Sequence, residues 1–535
     1  MKARRMWIAA LAAATLLWTG ATARAQEAQP LVIGSKVERT LGPSENHVYT
    51  IALQNGAAVI GQADQHGIDL VVDISGPDGK LIRTIDSPNG SEGPEPIDLT
   101  AFQTGQYKLV IHALEKTASP GKYVIQIDRI LTVEDNGQRI AEKIYPPALL
   151  NLWRAYQTDP KAVEIFVESR KGKGPFIEDV EGNRKGVRVT YIYYGDENTE
   201  SVRMNDGPHA GEGGLRLKRF MTTPLFFGSE LVPRDSRYQY RFTATQTRFA
   251  GPTGAIQVSE EIVTSGSSVL AMPDAPAQPY LIKSDSVRQG KLIPANIKSI
   301  ALHEDRPVTI YTPPGYDVAK ACELLIVFDG EDHDGRPSSE IPTPTILDNL
   351  IATRKINLTV AVFVNNVGHR QKDLTGSPAF AEFIAKELVP WVRKNYRISP
   401  GASHVVVTGE SLGGLAASHC AIMHSEVIGK VLSQSGSYWV TKDWQSPAPW
   451  PLTEDTGDLV GVFRKTRRLP IRFYITIGRF ESAGRMVGTN REFRDVLLLK
   501  GYPVTYKEVD GGHDSIWWRG SLADGLISLI GRKAY

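Results

Sequence analysis

The chain has 535 residues, 41% hydrophobic and 22% charged, with a formal net charge of +2. That length suggests two to four domains, and the near-neutral balance excludes the basic footprint of a nucleic-acid-binding protein. Two cysteines, Cys322 and Cys420, are too few for a disulfide framework or a zinc cluster; they could form one disulfide or remain two buried thiols.

Residues 1–25 read as a secretory leader. Lys2, Arg4 and Arg5 precede the apolar run 7–17, and Ala23-Arg24-Ala25 forms an A-x-A cleavage site. The apolar run is too short to span a bilayer, and no later run approaches that length. The expectation is an exported protein, periplasmic or secreted, with no membrane span. Removing the leader takes away four basic and no acidic residues, leaving a net charge of −2.

Residues 26–130 alternate in short runs such as "HVYTIAL" and "GKYVIQIDRI", and the turn "GPDGK" at 76–80 marks a hairpin. A small antiparallel β-sandwich is expected. Residues 131–162 read as a helical linker: "ALLNLWRAYQTDPKAVEIF" has helical apolar spacing and breaks at Pro160. Strands return over 163–280, dense in aromatics (Tyr191, Tyr193, Tyr194, Phe220, Phe226, Phe227, Tyr238 and Tyr240) whose alternation predicts a second sandwich core. The Pro-rich "MPDAPAQPYL" at 272–281 marks the next boundary. From 281 to 535, apolar strands such as "LLIVFD" and "HVVVTG" alternate with helices at 378–396, 488–500 and 521–531. This is the pattern of a mostly parallel sheet covered on both faces.

The stretch "VVVTGESLGGLAASH" (405–419) places Ser411 between a buried strand and an Ala/Leu-rich helix. Strand, Gly-x-Ser-x-Gly, helix is the nucleophile-elbow pattern of α/β-hydrolases, whose partners follow in the order serine, acid, histidine. His513, in "VDGGHDSIWWR" after the last strand, is the candidate base. Glu481, in the loop after "RFYITIG", is the leading acid to orient it, with Asp510 as the alternative. The oxyanion hole calls for two backbone N–H groups: that of Leu412, next to the nucleophile, and that of Gly330 or Glu331 in "IVFDGEDHDG". This loop is acidic but lacks EF-hand ligand spacing, so no metal is expected. Serine acyl transfer needs no organic cofactor either.

Several stretches resemble known families. "GIDLVVDISGPDGKLI", "GQYKLVIHA" and "SPGKYVIQI" are similar to the bacterial pre-peptidase C-terminal domain, which implies an accessory module. Residues from about 165 to 530 resemble enterochelin (ferric enterobactin) esterases within the esterase D group of α/β-hydrolases. The matching stretches are "GPFIEDVEG", "SIALHEDRPVTIYTPPGYD", "RQKDLTGSPAFAEFIAKELVPWVRKNY", "GESLGGLAA", "LSQSGSYW" and "EVDGGHDSIWWR". The resemblance implies a β-sandwich ahead of the hydrolase domain, catalysis by Ser411, His513 and Glu481, and a catecholate siderophore ester as substrate, free or ferric-loaded. It places Arg370 and His333 at the substrate. His333 stands where the family often has an aromatic residue, and the family's Arg-x-x-Glu-Leu is Arg370-Gln-Lys-Asp373-Leu374 here, leaving Arg370 either to bind an anionic group or to pair with Asp373. Related esterases cleave feruloyl or acetyl groups from polysaccharides. A binding protein on a retired hydrolase scaffold is the alternative of a different class.

Overall fold

A computed structural model describes residues 27–246, 267–336, 338–441 and 457–532; the leader at 1–25 lies outside the described residues. The chain divides into two compact units, Met1–Trp153 and Arg154–Tyr535. Among the described residues, no helix is long and apolar enough to cross a membrane.

In the first unit a five-stranded and a four-stranded sheet share one core. Alternation decides the faces: along Asn46–Leu53 the buried residues fall at every second position. Tyr49, Val72 and Tyr107 from one sheet meet Val59 and Ile125 from the other. The predicted hairpin joins Leu70–Ser75 to Leu81–Ile85, closed by a Gly76 N–H bond to the Lys80 carbonyl. Helix Val133–Ile144 follows, capped by the Thr132 side chain.

The helical stretch does not end at 162. Helices Pro147–Tyr156 and Ala162–Arg170 flank the break at Pro160, and strands resume only at Phe176. Ala162, Val163 and Val167 are buried, and Gly172, at φ +77°, provides the left-handed residue just beyond the helix.

In the second unit, after helix Ala162–Arg170, seven antiparallel strands among the described residues form one sheet, in the order Phe176–Val180, Asn183–Tyr194, Leu225–Pro233, Leu215–Arg219, Thr199–Asp206, Arg237–Gln246 and Ser268–Ala271. Tyr191, Tyr193, Phe226, Tyr238 and Tyr240 fill its core, joined by Phe480 from the following domain.

That domain is built on eight strands: β1 Lys291–Ser299, β2 Glu304–Thr312, β3 Glu323–Val327, β4 Thr359–Val364, β5 Val405–Glu410, β6 Lys430–Gln434, β7 Arg472–Gly478 and β8 Val504–Val509. Their order is 1-2-4-3-5-6-7-8, antiparallel at β1 and β2 and parallel from β3 to β8. Successive residues of β3 serve opposite faces: Leu324 and Ile326 enter one core, Leu325 and Val327 the other. Cys322 and Cys420 are both free and buried. The last helix runs Ser515–Ile530, six residues earlier than the predicted 521, because the Asp514 carboxylate accepts the N–H groups of Ile516 and Trp517 and caps it there.

Candidate active site

The elbow answers why glycines crowd Ser411. β5 is buried along its length and hands over directly to helix Leu412–Met423, leaving Ser411 at φ +57°, where a non-glycine residue is strained. A Cβ on Gly409 would stand 2.8 Å from the Gly413 backbone, and one on Gly414 would stand 2.5 Å from Ser433 Oγ. Only hydrogen at these positions lets helix and strand close around the turn. The Ser411 hydroxyl lies 3.3 Å from Ser437 Oγ.

His513 and Glu481 come from loops after β8 and β7. Glu481 Oε2 sits 2.7 Å from His513 Nδ1, and its other oxygen accepts bonds from Ser435 Oγ at 2.6 Å and the Gly478 N–H at 3.0 Å. The Glu481 carboxylate is 1% exposed, the imidazole 39%. Trp518 meets the imidazole edge to face at 4.9 Å and donates its indole N–H to Ser435 Oγ at 2.9 Å. Asp510 is turned elsewhere: Arg479 grips both its oxygens.

The loop after β3 turns at Asp329, φ +48°, and Gly330 packs so closely on Phe363 that a Cβ would clash with its carbonyl carbon. Glu331 points its carboxylate back to the Asn366 N–H at 3.0 Å, while Asn366 accepts the Asp329 N–H at 3.0 Å. Arg370 reaches Asp329, with Nε 2.9 and 3.0 Å from its two oxygens. Burial pushes the Asp329 carboxyl up to about 6 against the downward pull of Arg370. The pairing of Arg370 with Asp373 weighed from the sequence is not formed. Asp373 is buried against Arg306 at 2.5 Å and Asn366 at 2.9 Å.

His333 is fully buried, and both ring nitrogens face protein groups: Nδ1 the Thr343 hydroxyl at 2.9 Å, Nε2 the Glu410 carboxylate at 3.0 Å. Burial disfavours its charge, but the Glu410 carboxylate outweighs this and raises its pKa. With both nitrogens engaged, it braces the residue before Ser411 while lining the smaller cavity beside it.

Ser411 and His513 border the same two cavities. One, of about 320 Å³, is walled by Trp439, Met486 and Arg485, with Ala210 and Gly211 reaching in from the preceding β-rich region, whose strands form one seven-stranded sheet among the described residues rather than the expected two-sheet sandwich. The other, of about 190 Å³, is rimmed by Asp329, Arg370, Glu410 and Trp518. Sequence reasoning missed Ser435, Ser437, Trp518, Ala210 and Gly211. The alternation in "LSQSGSYW", just past the end of β6, was the available signal for the serines. Nothing local in "GPHAGE" marks a loop that reaches another domain.

Residues 299–529 match the family described as "Putative esterase". The chain is 29% identical over 279 residues to the iron(III) enterobactin esterase of Escherichia coli (strain K12), covering 49% of this chain and 62% of that one. It is 27% identical over 398 residues to the iron(III) salmochelin esterase of Escherichia coli O6:H1, covering 69% and 93%. The chain thus spans about three-fifths of the length of the enterobactin esterase. A crystal structure of the enterobactin esterase from Shigella flexneri, in the presence of enterobactin, covers 68% of this chain and 97% of that one at 25% identity and a TM-score of 0.54. Over these stretches the chain is similar to enterochelin esterases.

Proposed function

We propose that this protein is an exported serine esterase that hydrolyses a catecholate siderophore ester of the enterochelin type, free or ferric-loaded. The observation that carries the reading is the buried Glu481 carboxylate 2.7 Å from His513 Nδ1, in a site whose cavities are shared with the strained Ser411.

In this reading Glu481 fixes the imidazole tautomer with Nδ1 protonated, so Nε2 is free to take the Ser411 proton as Oγ attacks the ester carbonyl. The N–H groups of Leu412 and of Gly330 or Glu331 stabilise the tetrahedral oxyanion. The imidazolium then returns the proton to the leaving alcohol, and water repeats the sequence to free the acid. Arg370, 45% exposed and anchored on Asp329, is the group to meet an anionic catecholate. The leader at 1–25 supports export, and the first unit's sandwich is read as an accessory module.

The test is Ser411→Ala alongside the wild type, assayed on ferric enterobactin and on feruloyl and acetyl esters, with fluorophosphonate labelling of the serine. Losing the nucleophile should cost on the order of 10⁴-fold or more in kcat. Wild type that turns over only feruloyl or acetyl esters would move the substrate to polysaccharide decorations. Wild type that neither labels nor turns over any of them would leave a binding protein.

A further inference from the structure

A second cavity lies at the other end of the sheet. Its lining residues sit where the parallel strands begin: Glu323 opens β3, His404 precedes β5, Lys430 opens β6 and Arg472 opens β7. Ser411 follows the last residue of β5. At about 3.3 Å per residue, the length of a strand, some 20 Å, separates the two. The cleft, of about 1030 Å³, is also lined by residues 353–355, 357 and 527–532. Those segments are tied together by the Asn357 N–H to the Ile530 carbonyl and the Arg532 N–H to the Lys355 carbonyl.

Its charge is one-sided. Arg354, Lys355, Lys430, Arg472 and Arg532 all line it, against the single carboxylate of Glu323. That carboxylate is buried and already committed. One oxygen takes His404 Nδ1 at 2.9 Å, and the other lies 3.7 Å from Lys430 Nζ without a hydrogen bond. Among the described residues, Arg354, Lys355, Arg472 and Arg532 have no carboxylate within ion-pair distance. The Lys430 side chain is only 15% exposed. Burial lowers its pKa, partly offset by Glu323, with Arg472 adding to the lowering. Cations gathered around one concave surface repel one another unless an anion neutralises them. Guanidinium forks from separate segments suit the several oxygens of a phosphate group.

The geometry points to a binding site for a phosphate-bearing polyanion at the strand-start end of the sheet, remote from the nucleophile. The ligand is held by Arg354, Arg472 and Arg532 around Lys430. A free polyphosphate and a phospholipid headgroup share this chemistry.

The test uses the full chain, with pyrophosphate in titration calorimetry and with flotation on phosphatidylglycerol vesicles against phosphatidylcholine vesicles. The comparison is the triple variant Arg354→Gln, Arg472→Gln, Arg532→Gln, whose positions are exposed. Wild type should bind at least one probe, more weakly as salt rises, and the triple variant should lose about tenfold or more in affinity. Pyrophosphate binding alone identifies a free ligand; binding only to phosphatidylglycerol vesicles identifies a headgroup. Hydrolysis of a small ester should stay unchanged in the variant. No binding of either probe by wild type, or equal binding by the correctly folded triple variant, overturns the site. The readout is binding, so it stands or falls independently of the esterase reading.

Discussion

At the scale of single residues, the division of labour between carboxylates is the sharpest expectation. Glu481→Gln keeps the shape but loses the charge facing His513 Nδ1, and should lower kcat by roughly 10²- to 10⁴-fold. Asp510→Asn, removing a partner of Arg479, should cost less than about tenfold by the same measure. The reverse ranking would hand the orienting role to Asp510. Asp514 offers a pH test. Burial lifts its carboxyl to about 7, so between its ordinary acid range near 3.8 and about 7 the folded chain holds a proton that the unfolded chain has released. Its contribution to stability is therefore present below that window and lost as pH rises through it. Asn can still cap the last helix but does not ionise, so the Tm of Asp514→Asn should gain on wild type from pH 5 to pH 8. A constant gap would refute the shift. The strand-end positions of Ser411, His513 and Glu481 were readable because each sits in a short motif that follows an apolar run. His333 lines the cavity beside Ser411, but its full burial was not readable, because a loop histidine next to acids looks exposed in sequence. Its burial depends on Thr343 and Glu410, remote in the chain and brought together only by the fold.

At the scale of elements, one loop couples the seven-stranded sheet to the site around Ser411. A buried network holds it: the Tyr191 hydroxyl donates to Glu230 at 2.9 Å, and His209 pairs with the same carboxylate at 2.9 Å. Two residues on, a Cβ at Gly211 would stand 2.8 Å from Ser482 Cα and 3.0 Å from the Glu481 carbonyl oxygen, so the loop rests on the backbone that carries the acid. Gly211→Ala should displace that backbone and lower kcat on the order of tenfold to a hundredfold, with little change in Tm. Unchanged kinetics would show that the contact has slack. The parallel strands β3, β4 and β5 were legible as apolar runs buried on both faces. β1 was not: "KLIPANIKS" exposes most of its residues and carries Pro294, as an edge strand tolerates. Its membership is decided by nine residues paired with β2, which no local pattern reveals.

At the scale of the whole molecule, none of the proposed catalytic groups lies in the unit Met1–Trp153. A chain beginning at Pro146, which keeps helix Pro147–Tyr156 whole, should fold and hydrolyse a small activated ester with kcat within about twofold of the full chain. A loss of activity with circular dichroism unchanged would assign the first unit a part in catalysis. The order of elements, strands, helices, strands again and then alternating strands and helices, was legible from composition, since alternation with period two gives way twice to other rhythms. The 131–162 linker boundary failed because Pro160 interrupts the helical pattern without ending it.

The two free thiols turn the hydrolase core into its own timekeeper. Cys322 and Cys420 are 1% and 0% exposed and belong to one contiguous apolar cluster, and burial pushes the Cys322 thiol up to about 11 and that of Cys420 further in the same direction. A disulfide reagent therefore reaches neither sulfur until the domain opens. If the cluster opens as one cooperative body, both should be modified at the same rate in mild denaturant, read by mass spectrometry of the separated peptides. If Cys322 reacts first, the segment entering β3 comes away before the helix that follows Ser411 does, and the sheet frays from the end opposite Ser411.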